Sequence, residues 1–70
     1  MEYLVVRFPR SRRVLVDDEF NGRTNELIQL AAGTHTISLG PPSNFTPESR
    51  RVMLKDTSEL SPREVVFDET

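Results

Sequence analysis

His35 is the only histidine in this chain of 70 residues, and there is no cysteine. A metal centre or catalytic triad built on one histidine needs partners from distant segments. His35 shares a strand face with Ile37 and Leu39, which reads as a structural histidine at a sheet margin, hydrogen-bonded near the Gly33 turn. Asp17-Asp18-Glu19, with Asn21 and Gly22, is acidic and glycine-ended. Calcium loops place oxygen ligands at alternating positions and close with a bidentate glutamate. The closing glutamate is missing, so this segment reads as a turn with solvated carboxylates. Glu64, Asp68 and Glu69 alternate with apolar residues and form a wet strand face, whereas acid–base chemistry needs one carboxyl in an apolar pocket. Gly22, Gly33 and Gly40 are too far apart to cradle a phosphate. Serines 11, 38, 43, 49, 58 and 61 lie in no nucleophile context. Asn44-Phe45-Thr46 fits the glycosylation pattern, but Pro47 follows directly and no secretory segment opens the chain. No catalytic residue, metal ligand or cofactor is therefore assigned.

Arginine dominates the remaining polar chemistry. Eight of the nine cations are arginine, and the net charge is −2 with a pI near 5.3. Residues 1–13 carry Arg7, Arg10, Arg12 and Arg13 against Glu2. Residues 56–70 carry Asp56, Glu59, Glu64, Asp68 and Glu69 against Arg63. Three arrangements follow. The two segments can lie side by side and pair across the surface, which contributes little to stability. They can sit at opposite poles and orient a partner. Or Arg7–Arg13 can track a single-stranded nucleic-acid backbone with Tyr3 or Phe8 stacking on bases. The acidic total opposes the last, because nucleic-acid domains usually present a strongly basic face. Tyr3, Arg10, Arg12, Arg13 and Phe45 are the candidate binding residues. Phe45 lies at a loop tip, either folded over the core edge or exposed as an anchor.

These side chains are positioned by short strands. Leu4, Val6 and Phe8 alternate with Tyr3, Val5 and Arg7 before Pro9 ends the segment. Residues 12–17 form a second strand with Val14 and Val16 inward. Residues 18–22 read as a turn, with Asn21-Gly22 the strongest short hairpin signal. Residues 24–32 are ambiguous. Thr24 or Asn25 could cap a two-turn helix closed by Gly33, but a helix that short does not hold alone. The strand reading, with Ile28 and Leu30 inward, suits the context better. Thr34–Leu39 alternates cleanly. Gly40–Pro47 is a loop by composition. Residues 50–55 and 63–68 are further strands. The expected fold is all-β: one domain, 1–70, a small antiparallel β-sandwich of about six or seven short strands. Its expected core is Leu4, Val6, Phe8, Val14, Val16, Ile28, Leu30, Ile37, Leu39, Val52, Leu54, Val65 and Phe67. A chain this short buries only about 60% of its unfolded surface. It needs either a well-filled core or a partner that completes it.

Val14-Leu15-Val16-Asp17, Gly22-Arg23-Thr24, and Leu30-Ala31-Ala32-Gly33-Thr34-His35-Thr36-Ile37 resemble the PEGA-type domain, continuing through Val52-Met53-Leu54 and Val65-Val66-Phe67. The likeness covers roughly residues 9–68. The naming tetrapeptide is absent, with Pro9-Arg10-Ser11-Arg12 near its place. Asn25 stands where proline is usual, and the Asp17-Asp18 turn lacks its following glycine. The resemblance implies a compact β-sandwich of the kind appended to bacterial envelope and signalling proteins, with an interaction or structural role and no catalytic residues. The expected function is a non-catalytic module that binds another protein or an envelope polymer through loops or an edge strand, with single-stranded nucleic acid as the alternative. A homodimer through an edge strand is a further expectation. No segment is apolar enough to span a membrane, which takes about 20 residues. The expected location is cytoplasmic for a complete chain, or the envelope for an excised domain.

Overall fold

Period-two alternation of apolar residues gives strands and no helix. The computed structural model describes all of residues 1–70. In chain order the strands are β1 (Glu2–Arg7), β2 (Arg13–Val16), β3 (Glu19–Arg23), β4 (Leu27–Leu30), β5 (Gly33–Leu39), β6 (Phe45–Thr46), β7 (Arg50–Leu54), β8 (Arg63–Val66) and β9 (Asp68–Glu69). One sheet has the order β4-β1-β8 and the other β3-β2-β5-β7; β6 and β9 form a separate short pair. The 24–32 ambiguity resolves as a strand. No helix is long and apolar enough to cross a membrane.

The inward faces of the two sheets meet in one core of 13 buried residues, the same set expected from alternation. Leu4, Val6, Val14, Ile37 and Leu54 have no exposed surface at all. Burying an aliphatic side chain of this size contributes about 1.5–3 kcal/mol. Phe45 packs against the cluster from the side. Val5 is also buried although it faces outward, between the neighbouring strands' Leu27 and Glu64.

Besides two added short strands, β6 within the expected 40–47 loop and β9 split from the expected 63–68 strand, which bring the number to nine, two local features depart from the sequence expectation. Residues 18–22 are not a turn. The reversal falls one step earlier, at Asp17-Asp18, with φ of 52° and 67°. Aspartate tolerates this left-handed region better than most residues. Glu19–Arg23 is then a true strand, paired with β2 through a bulge opposite Val14/Leu15. Gly22 is needed for closeness: at φ 150°, a Cβ there would lie 2.9 Å from Ile28 Cγ1. The second departure is the pairing of β1 with β8, which is parallel, with Val6 opposite Val65. The other strand pairings are antiparallel.

Candidate functional site

The chain passes from the second sheet to the first at Thr24-Asn25, and this crossing organises the arginine-rich loop between β1 and β2. Thr24 is the one buried polar residue of the core region, at 2% exposure. Its hydroxyl donates to the Arg10 carbonyl at 2.6 Å and accepts from the Arg12 N–H at 2.9 Å. Asn25, at φ 63°, donates from Nδ2 to the Phe8 carbonyl at 2.8 Å and accepts the Phe8 N–H at 3.3 Å. The loop is thus held by side chains that satisfy its backbone groups.

The arginines of that loop and of the strand ends that flank it turn to partners within the molecule. Arg7 Nε donates to Glu64 at 2.8 Å and Arg10 Nε to Glu69 at 2.6 Å. Arg12 donates to the Pro42 carbonyl at 3.0 Å and to Asn44 Oδ1 at 2.6 Å, while its guanidinium lies 5.4 Å from the Phe8 ring centroid. Arg13 stands 5.9 Å over the exposed ring of Phe20. The basic and acidic segments therefore lie side by side, and Glu69 holds the Arg10 guanidinium above its ordinary pKa.

Tyr3 and Phe45 lie on different elements, β1 and β6. Tyr3 lies on the outer face of the first sheet, where its hydroxyl accepts from Gln29 at 3.1 Å and approaches Glu59 at 3.4 Å. Phe45 is half-buried and meets Phe67 edge-on, with centroids 5.9 Å apart and planes at 83°. It covers the core edge.

His35 sits where expected, bonded beside the Gly33 turn. Nε2 faces the Ala31 carbonyl at 2.8 Å, and Nδ1 faces Asp17 Oδ2 at 3.0 Å. Asp17 Oδ1 accepts the Thr36 N–H at 2.9 Å. That N–H, with His35 second, holds the Asp17 carboxyl below its ordinary range. Asp17, then the Ala31 carbonyl, raises His35. Glu2 is lowered by the hydroxyl and N–H of Thr57. Each shift belongs to a bond that ties two segments together.

Two shallow depressions of about 340 Å³ mark the surface. One lies over Phe8, Pro9 and Val66; the other lies between the Gly40–Ser49 connection and β5, with Asp18 and Glu48 on its rim. Glu2, Arg10, Asp17 and His35, the groups with shifted pKa values, line neither. No cluster of three or more histidine, aspartate or glutamate side chains is placed to hold a metal ion.

Sequence reasoning expected docking through an edge strand but did not identify which strands are edges. Natural sheets guard their edges with charge, proline or bulges. Edge strand β3 carries Glu19, Arg23 and the bulge. Edge strand β7 carries Arg50 and Arg51. Edge strand β8 carries Arg63 and Glu64 just after Pro62. Edge strand β4 is Leu27-Ile28-Gln29-Leu30, with no charge, proline or bulge. Leu27 is 48% exposed, on a face shared with Tyr3, Val5 and Val66. The signal in the sequence was the uncharged run from Leu27 to Gly33, which also made the stretch ambiguous. Comparison with family profiles, with curated proteins and with solved structures returns no match to this chain.

Proposed function

We propose that this chain is a non-catalytic interaction module that docks a protein partner by strand addition at the open edge of β4. The observation that carries the reading is that β4, alone among the four edge strands of the two larger sheets, carries no charged residue, proline or bulge. An extended segment laid against such an edge gains main-chain hydrogen bonds, with specificity from alternate side chains. Leu27 and the neighbouring aliphatic surface would receive those side chains. The PEGA-type likeness belongs to the same proposal and rests on the residues quoted for it.

A photo-crosslinking side chain at position 27, in cells that produce the chain, tests the reading. The expected result is an adduct mapping to an extended strand of the partner, abolished by Gln29→Pro. A crosslinker at Arg51 that captures a partner while position 27 captures none would overturn it. So would oligonucleotide binding that falls steeply with salt, the signature of a phosphate backbone.

A further inference from the structure

We infer that the strand added to β4 is the β4 of a second copy of this chain, paired antiparallel across a two-fold axis at Gln29. This rests on the edge-docking reading above and names its occupant.

The backbone of β4 is oriented for it. In β1, the Tyr3 N–H donates to Thr57 Oγ1, and the Arg7 carbonyl accepts the Phe67 N–H, both toward the β8 side. The Val6 carbonyl instead accepts the Asn25 N–H, toward the β4 side. Backbone groups alternate in direction along a strand. Glu2 and Leu4 therefore also turn toward β4, where their register partners are Leu30 and Ile28. Ile28 and Leu30 direct their N–H and C=O groups at β1. Those of Leu27 and Gln29 point out of the sheet.

Symmetry then restricts the register. A two-fold axis perpendicular to the sheet keeps the inner face inner, so directly opposed residues must share a face. Axes centred on a residue meet this condition, and Ile28 and Gln29 are the central two of β4. An axis at Ile28 sets the Glu26 carboxylate opposite Leu30 of the second copy. An axis at Gln29 opposes Ile28 with Leu30 on the inner face and Leu27 with Ala31 on the outer face, apolar against apolar on both sides of the Gln29 pair. The two Gln29 backbones exchange N–H···O=C bonds at the axis. Leu27-Ile28-Gln29-Leu30-Ala31 has the same apolar–polar pattern in both directions about Gln29, which is what an isologous contact requires. No ionisable side chain lies between Leu27 and Gly33, so no like charges are opposed along β4 itself. The product is one continuous six-stranded sheet with β4 and its copy at the centre.

Sedimentation equilibrium between about 1 µM and about 1 mM tests the association. The chain of 8.0 kDa is expected to reach twice that mass. Gln29→Pro removes the outward N–H and leaves the β1 ladder intact. Gln29→Lys puts two ammonium groups at the axis. Both are expected to weaken association by at least about tenfold while the β spectrum is retained. Register is tested in the double variant Leu27→Cys, Ala31→Cys. Oxidation should give a covalent dimer that neither single variant gives, and the chain has no native cysteine to interfere. A monomer throughout, or a dimer indifferent to both Gln29 variants, overturns the inference. If such a monomer still gives position-27 adducts to another protein, self-pairing fails and edge docking stands. If it gives none, both fail.

Discussion

Asn25 holds both backbone groups of Phe8, donating to its carbonyl and accepting its N–H across 17 residues of chain. The contact fixes the end of β1 against the strand crossover, and Thr24 does the same for Arg10 and Arg12 one residue earlier. The backbone of both arginines in this loop, Arg10 and Arg12, is thus held from beneath.

Removing the pin should therefore cost more than an exposed asparagine ordinarily does. Asn25→Ala loses two hydrogen bonds and places alanine at φ 63°, with an expected loss of about 2–3 kcal/mol. Asn25→Gly keeps the backbone conformation free of strain and should fall between wild type and alanine. Thr24→Val keeps the volume but orphans the Arg10 carbonyl and Arg12 N–H, for about 1–3 kcal/mol. Urea denaturation monitored by circular dichroism checks all three.

Gly22 shows why the hairpin position was misread while the core was not. Asn-Gly fits the two-residue hairpin turn on backbone freedom alone. Here the glycine is spent on the approach of β3 to Ile28, and two aspartates supply the left-handed turn. The core was legible because alternation is local: every other residue of a strand faces inward whichever strand it pairs with. Pairing is not local. Nothing in residues 2–7 and 63–66 announces a parallel ladder, or that Arg10 meets Glu69 and not solvent. The β4 edge was hidden for a related reason. An uncharged Leu-Ile-Gln-Leu run suits a strand or a short helix, and its exposure depends on what lies beside it in the sheet.

The close contact carries its own prediction. Gly22→Ala sets a methyl 2.9 Å from Ile28 Cγ1 and 3.2 Å from Cδ1, in a backbone region that L side chains rarely adopt. Overpacking and strain together should destabilise by about 1–3 kcal/mol. The Ile28 methyl resonances should shift with little change elsewhere, and a variant as stable as wild type would contradict the geometry.

Phe45 offers a contrast between packing and recognition. Its ring meets Phe67, which is 1% exposed, edge-on at the rim of the core. Phe45→Ala should lower stability by about 2 kcal/mol, combining lost burial with the lost aromatic pair. Phe45→Leu should recover part of this. Position-27 crosslinking should be unchanged by Phe45→Leu, because Phe45 lies in the β6–β9 pair and not in the sheet that carries β4.

The Asp17–His35 pair makes stability depend on pH, with opposite signs at its two ends. Both imidazole nitrogens face acceptors, so both are satisfied only in the charged ring. His35 is raised above its ordinary 6.5. The folded state then binds the proton more tightly than the unfolded chain, so this contribution is complete below pH 6.5 and disappears as pH rises through the folded value. Asp17 is lowered below its ordinary 3.8. Its contribution is present above 3.8 and disappears as pH falls through the folded value. The pair thus stabilises most between about pH 4 and 6.5. Melting temperature should decline from pH 6 to pH 8.5 in the wild type. The decline should be shallower in Asp17→Asn, which removes the carboxylate and much of the upward pull on His35. A histidine titration followed by NMR should give a midpoint above 6.5 in the wild type and a lower one in that variant. A wild-type midpoint at or below 6.5 would mean that the carboxylate does not hold the ring in its charged form.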